Sequence, residues 1–297
     1  MNLPPEGTAN ALREAPPAAA AREVFIDGLA LWTPAWPGWE AAAPALRRAP
    51  DDATPQVDAG PVPAARPAPG GLAPNERRRA PDSVLVALQV AEQAVAMSGH
   101  DARTLASVFA SAHGDLPIVD ALARTLAGDP RLLSPTRFHH SVHNAPSGYW
   151  AIASGSHAAS TAIAAFDHTF GAGLLEALAQ VACDDAPVLL AGCDTGAEGP
   201  LASVNGSRGL LGAALVLAPR PGPRGGRALH WRLGPSTGPS APPASALGRA
   251  LARNALADAL PLFEALASDA TTELALRCGP GLALHLAVQV RPCSKAG

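Results

Sequence analysis

Residues 134–150 of the chain read SPTRFHHSVHNAPSGYW and continue into a run of small residues, AIASGSHAAST. The stretch holds four histidines, of which His139 and His143 are four residues apart. On a helix this spacing would turn both imidazoles to the same side, where they could bind a metal. Prolines bracket the pair, however, and a zinc-protease motif would need a glutamate where the chain has His140 or Ser141. The pattern therefore predicts no metal site, and it favours histidines that bond loop backbone or line a cavity.

A serine-dependent reaction is the alternative chemistry for this stretch. Ser156 lies between small residues in SGSHA, but the Gly-x-Ser-x-Gly turn of hydrolases is incomplete because Ala158 replaces the second glycine. The neighbouring His157 is a poor base for Ser156, since adjacent side chains on a helix diverge by about 100°. The base would have to come from elsewhere in the central region, from His113, His139, His143 or His168.

Hydrophobic periodicity divides the chain into folded and unfolded parts. Residues 1–21, about 50–75 and 220–245 are rich in proline and glycine and are predicted to be a tail, an insertion and a linker. Between them the chain alternates predicted strands (23–34, LASVFASAHGD, APVLLAGCD and 210–219) with predicted helices (81–99 and 116–130). This order predicts one layered α/β domain over residues 22–219 with a mostly parallel central sheet. Residues 246–297 are predicted to add a helix (246–269) and a β-hairpin turned at Gly279-Pro280-Gly281, packed on the same domain.

Composition excludes several classes of function. The chain has 22 basic and 25 acidic side chains and a formal charge of −3, which argues against a nucleic-acid partner. The one basic cluster, Arg77 to Arg79, is more typical of the solvated start of a helix than of a binding site. Four scattered cysteines and the lack of a signal sequence predict a reduced, cytoplasmic protein. No apolar run is long enough to span a membrane.

Several stretches resemble a known family. NERRRAPDSVLVALQVAEQA, VFASAHGD, GAGLLEALAQ, VLLAGCD and the block from Ser134 to Trp150 are similar to the amino-terminal half of the β-ketoacyl synthases. More narrowly, the chain resembles the short chain length factors of aryl polyene gene clusters. The resemblance covers roughly residues 23–219 and implies a thiolase-type fold and a place in an acyltransferase family that uses no cofactor.

The resemblance also implies where catalysis would occur. In an active ketosynthase the nucleophile is a cysteine at the amino-terminal end of a buried helix, where the amide dipoles lower its pKa. The matching run, IASGSHAAST, puts Ser156 at this position, or His157 if the register shifts by one, at the start of a buried helix predicted to run to about Cys183. The two carboxy-terminal catalytic histidines have no recognisable counterpart. The resemblance therefore implies a subunit that is inactive alone.

A chain length factor pairs with a full-length, active β-ketoacyl synthase and shapes the cavity in which the chain grows. The resemblance implies that the segment from Ser134 to Trp150 contributes to that interface, with acyl carrier protein as an indirect partner for which Arg77 to Arg79 offer a docking cluster. The residues predicted at the interface or cavity are Phe138, His139, His143, Asn144, Tyr149, Trp150 and Phe166. Phe166 and Phe170 have the spacing of helical core residues, which is the competing prediction for them.

Overall fold

A computed structural model describes residues 20–49, 66–236, 238 and 242–289 of the chain. In these residues nine strands form one sheet: β1 (Arg22–Thr33), β2 (Trp36–Pro37), β3 (Ala106–Ala110), β4 (Ser160–Ile163), β5 (Val188–Asp194), β6 (Leu211–Ala218), β7 (Arg227–Pro235), β8 (Thr272–Gly279) and β9 (Leu282–Val288). The helices are α1 (Trp39–Arg47), α2 (Pro74–Arg79), α3 (Asp82–Ser98), α4 (Leu116–Gly128), α5 (Pro135–His140), α6 (Ala145–Ser154), α7 (Thr169–Asp184), α8 (Leu201–Val204), α9 (Ala246–Leu251) and α10 (Leu260–Ala267). None of the described helices combines the length and the apolar character that crossing a bilayer requires.

The sheet is mixed, and its strand order is β4-β3-β5-β6-β1-β7-β9-β8, with β2 paired to β1. Strand β3 pairs in parallel with β4 and β5, whereas β6 runs antiparallel to both β5 and β1. Strands β1, β3, β4 and β5 consequently all point the same way, and their carboxyl ends share one edge of the sheet. Helices cover the sheet on both faces, so the predicted layered α/β domain is confirmed.

One face of the sheet is covered by α3, which packs on β1, β5 and β6 and carries α6 on its flank. The helix predicted over residues 81–99 is confirmed, because α3 ends at Gly99 in the left-handed conformation. The helix approaches β1 closely at Gly28, where a Cβ atom would overlap the carbonyl oxygen of Ala94. Only glycine permits this contact, and it fixes the depth at which α3 lies on the sheet.

The opposite face is covered by α7 together with α1, α9 and α10. Helix α7 contacts β3 and β5, and it also contacts β8 at the far end of the sheet. Because one helix is about 10 Å across, it reaches both places only if the sheet curls around it. The carboxy-terminal hairpin, β8 with β9, closes this curl by pairing β9 to β7, and the predicted hairpin is confirmed.

Two predictions about local structure are wrong. The buried helix that was predicted to begin at Ser156 begins instead at Thr169. The run of small residues before it contains the end of α6, at Gly155, and then strand β4. The predicted linker at 220–245 contains β7, whose alternating Leu229 and Trp231 are buried against the curled face. Nearly all of the predicted tail (1–21) and most of the predicted insertion (50–75) lie outside the described residues, and the helix predicted over 246–269 is divided into α9 and α10.

Candidate functional site

The carboxyl ends of β3 and β5 meet at a buried carboxyl group, Asp194. This side chain is fully buried and accepts hydrogen bonds from Ser111 Oγ (3.0 Å), the Ala112 amide (2.9 Å) and the His113 amide (3.3 Å). Burial raises the pKa of Asp194 to about 7, although the three hydrogen bonds oppose the shift. These hydrogen bonds hold the loop that carries His113 against the carboxyl ends of β3 and β5.

The amino-terminal end of α7 lies at the same edge, and it carries no nucleophile of the expected kind. A single 3-10 turn, Phe166–His168, precedes the helix. Phe166 has a φ of 48°, which is strained for a bulky residue, and its ring is 74% exposed and meets the His113 imidazole edge-on at 5.9 Å. Phenylalanine, aspartate and histidine therefore occupy the turn where a thiol would be needed.

A second carboxyl group already occupies the helix amides at this end. Asp258 Oδ2 accepts from the Phe170 amide (2.9 Å) and from the Gly171 amide (3.1 Å). Desolvation raises the pKa of Asp258 to about 7, while these two hydrogen bonds hold it lower than it would otherwise be. The amides that would stabilise an anion at the start of α7 are thus satisfied from within the chain.

Ser156 does not lie where the sequence predicts. It follows the carboxy-terminal end of α6, and its hydroxyl donates to the Arg103 carbonyl oxygen (3.1 Å) and accepts from the Ala158 amide (3.1 Å). The placement of Ser156 at the first turn of the buried helix is therefore wrong, and so is that of His157, which is exposed in the same loop. Helix α6, ten residues and about 15 Å long, lies between His143 and Ser156 in the chain, and the Ser156 hydroxyl bonds loop backbone rather than an imidazole, so it has no general base.

The histidines of the opening stretch have separate structural partners. His140 is buried at the end of α5, and its Nε2 lies 2.8 Å from the Tyr149 hydroxyl. Burial lowers the pKa of His140 and raises that of Tyr149. His143 Nε2 donates to the Ser111 carbonyl oxygen (2.8 Å), whereas His139 is exposed. Among the described residues no group of histidine, cysteine and acidic side chains is arranged to hold a metal.

Some of the residues predicted at an interface are exposed, and others are buried. Phe138 is 59% exposed, and His139 and Asn144 are also exposed, whereas Trp150 is buried against α3. Phe170 is core as predicted, but the same prediction for Phe166 is wrong, because the strained turn points its ring outward. Among the described residues, seven of the eight exposed large apolar side chains lie in the part of the sequence that runs from α4 to the turn before α7: Val119, Leu126, Leu132, Phe138, Val142, Ile152 and Phe166.

Neither of the two buried carboxyl groups of the site, Asp194 and Asp258, was predicted from the sequence. Asp194 ends the apolar run VLLAGCD, and an acidic residue at the carboxyl end of a buried strand was the available signal. Asp258 stands in NALADAL, 88 residues after Phe170, whose amide it binds, and nothing local marks it. Of the described cysteines, Cys193 and Cys278 have thiol pKa values raised by burial, and Cys183 is exposed near the carboxy-terminal end of α7, so none lies in the turn before that helix.

Parallel strands whose carboxyl ends surround the start of a buried helix, between two helical layers, define a thiolase-like α/β fold. Residues 51–271 match the family model for the N-terminal domain of the β-ketoacyl synthases, and the chain therefore belongs to this family. No curated protein sequence matches the chain.

The solved structures that share the fold include the following three. One is a ketosynthase (ApeO) in complex with its chain length factor (ApeC) from Xenorhabdus doucetiae, with 19% identity, 89% of this chain and 98% of that chain covered, and a TM-score of 0.63. The second is the type II polyketide complex AntDE:AntF, an acyl carrier protein with its ketosynthase bound to a hexaketide (12% identity, 92% and 100% covered, TM-score 0.62). The third is the ishigamide ketosynthase/chain length factor (18% identity, 75% and 66% covered, TM-score 0.51).

Proposed function

We propose that this chain is a non-catalytic chain length factor that pairs with an active, full-length β-ketoacyl synthase. The observation that carries the proposal is the start of α7. The turn Phe166–His168 lacks a thiol, and Asp258 binds the amides that would activate one. In this proposal the subunit shapes the cavity in which an acyl chain of the aryl polyene type is elongated, and it does not catalyse the reaction. The pair acts in the cytoplasm.

The partner surface in this proposal, called the apolar face below, is built from the part of the chain that runs from α4 to the turn before α7. Seven large apolar side chains lie exposed there, while Val204 is the other exposed large apolar side chain of the described residues. Strand β4 forms the adjacent free edge of the sheet, so the face also offers unpaired backbone groups. Apolar and aromatic side chains beside a strand edge are typical of a stable protein interface.

Acyl carrier protein is the second partner in the proposal. Arg78 and Arg79 are exposed at the end of α2, whereas Arg77 is half-buried and donates to the Pro69 carbonyl oxygen (3.1 Å); no described carboxylate lies within ion-pair distance of the three. Arg79 also lines an open cleft beside His139 and Tyr149. The three charges could hold the acidic surface of a carrier protein while it delivers its chain to the ketosynthase.

Co-expression with an active, full-length ketosynthase tests the proposal. We expect the two chains to co-purify, and we expect Ile152→Asp to abolish co-purification because it places a charge on a side chain 79% exposed within the apolar face. Ala41→Asp is the control, since Ala41 is an exposed position of α1, on the opposite face of the sheet from α6.

Product formation separates the subunit role from a serine-dependent reaction. We expect Ser156→Ala to leave product formation by the pair unchanged, because its hydroxyl only bonds loop backbone. Loss of product in Ser156→Ala with an intact complex, or failure of any ketosynthase to co-purify, would contradict the proposal.

A further inference from the structure

One residue at the start of α7 is held in a conformation that its side chain disfavours. Phe166 has a φ of 48°, in the left-handed region that a bulky side chain rarely enters, and its ring is 74% exposed. Both features cost free energy in the isolated chain, and it is Phe170, four residues later, that is fully buried in the core. The Phe166 ring therefore does little for the fold of the isolated chain.

The strained turn is fixed by hydrogen bonds on both sides of Phe166. The buried Thr169 hydroxyl accepts from the Ala165 amide (2.9 Å) and donates to the Phe166 carbonyl oxygen (2.7 Å). The His168 amide also donates to the Ala165 carbonyl oxygen (3.1 Å). Because the chain is bonded before and after Phe166, its backbone cannot relax without breaking these bonds, and the direction of its Cα–Cβ bond is set.

The ring of Phe166 is also braced from the side. The His113 imidazole meets it edge-on, with 5.9 Å between the ring centroids and 73° between the ring planes. Asp194 in turn holds the loop of His113, since it accepts from the amides of Ala112 and His113. An exposed side chain normally changes rotamer within nanoseconds, whereas this contact favours one orientation. Phe166 thus presents an aromatic ring whose position is already set.

We propose that Phe166 is the anchor of the apolar face, and that its ring inserts into an apolar pocket on the active ketosynthase. This inference rests on the proposed pairing with that enzyme. An aromatic side chain that fills a pocket at an interface contributes a large share of the binding energy, and a ring that is already held in place loses little entropy on binding. Pairing also offsets the cost of the exposed ring, because the ring then leaves water.

Surface plasmon resonance with the ketosynthase that co-purifies with the unmodified chain tests the anchor. We expect Phe166→Ala to weaken binding at least about thirtyfold, the effect of an interface hot spot. Phe138→Ala is the matched control, because this ring is 59% exposed on the same face but belongs to helix α5 and has no positive φ. We expect the control to weaken binding by less than about tenfold.

A double-variant cycle tests the brace on the ring. His113→Ala removes the edge-on contact, and we expect it to weaken binding about two- to tenfold in the parent chain. In the Phe166→Ala background it should have no further effect, since there is no ring left to hold. Equal losses in the two backgrounds would mean that His113 contacts the ketosynthase itself and does not position Phe166.

Thermal unfolding of the free variants separates an anchor from a structural residue. Because the Phe166 ring is exposed, we expect Phe166→Ala to unfold at nearly the parental temperature. A large drop in that temperature would overturn the inference, and so would self-association of the free chain that Phe166→Ala abolishes, because a second copy would then occupy the ring.

The binding measurement also distinguishes this inference from the proposed function. A pair that forms and is weakened no more by Phe166→Ala than by Phe138→Ala would overturn the anchor and leave the proposed function standing. If no ketosynthase binds the unmodified chain, the proposed function fails and the anchor fails with it.

Discussion

Asp194 and Asp258 are two acidic residues whose burial makes the stability of the chain depend on pH. Both pKa values are raised to about 7 from an unfolded value near 4, and desolvation is the main cause. Between those two pH values the folded chain binds more protons than the unfolded chain. The contribution of these two groups to the free energy of unfolding is therefore fully present below about pH 4, and it is lost as the pH rises toward 7.

Asp258→Asn separates this pH effect from the cap on α7. The cap uses only Oδ2, and Oδ1 has no partner among the described residues, so an asparagine oxygen can take over both amide bonds. We expect the variant to keep its fold and to lose less stability than the parent between pH 4 and 7. Thermal unfolding followed by circular dichroism over that range measures the difference. Equal pH slopes for variant and parent would show that Asp258 does not titrate as described.

The misplaced nucleophile position shows the limit of sequence reasoning at the scale of single residues. The run from Ala151 to Ala165 is almost entirely small, so it carries neither the period of a helix nor that of a strand. The strand within it, β4, spans four residues and leads directly into the strained turn at Phe166. Only its parallel pairing with β3 shows where the helix can begin.

At the scale of elements, the packing of α7 against β8 depends on one glycine. A Cβ atom at Gly171 would overlap the carbonyl oxygen of Arg277 in β8. Gly171→Ala must push the hairpin away from the helix, and we expect a loss of about 1–3 kcal/mol in the free energy of unfolding. Denaturant unfolding at neutral pH provides the measurement.

Gly148 is the matched control for Gly171. It is an exposed position in α6 where a Cβ atom meets nothing within 4 Å. Gly148→Ala should stabilise the chain by about 0.5–1 kcal/mol through helix propensity alone. If both substitutions change the free energy of unfolding in the same direction, then Gly171 is not required for the close approach of α7 to β8.

Elements with strong local patterns were predictable, and elements defined by distant partners were not. The apolar run VLLAGCD and the capped, periodic segment of α3 form the expected strand and helix. Strand β7 was assigned to a linker because proline and glycine flank it on both sides. Its conformation is fixed instead by pairing with β1 on one side and β9 on the other. The curl of the sheet around α7 follows from these pairings and has no local signature.

At the scale of the whole molecule, the carboxy-terminal hairpin is part of the core. Leu276, Leu284, Leu286 and Val288 are buried in the same hydrophobic core as Phe170 of α7. Each such side chain contributes about 1.5–3 kcal/mol when fully buried, and a whole domain is stable by only about 5–15 kcal/mol. The sum for the hairpin is thus comparable to the entire stability of the fold.

A chain that ends at Ser268 lacks β8 and β9 and leaves α7 uncovered on that side. We expect it to lose cooperative thermal unfolding and to aggregate, because the exposed helix face and the free edge of β7 are both apolar or unpaired. A chain that ends at Gln289 retains both strands and should unfold at nearly the parental temperature. Differential scanning calorimetry of the two truncations makes the comparison. Cooperative unfolding of the shorter chain at an unchanged temperature would mean that the hairpin is an appendage, and that the amino-terminal sheet buries α7 without it.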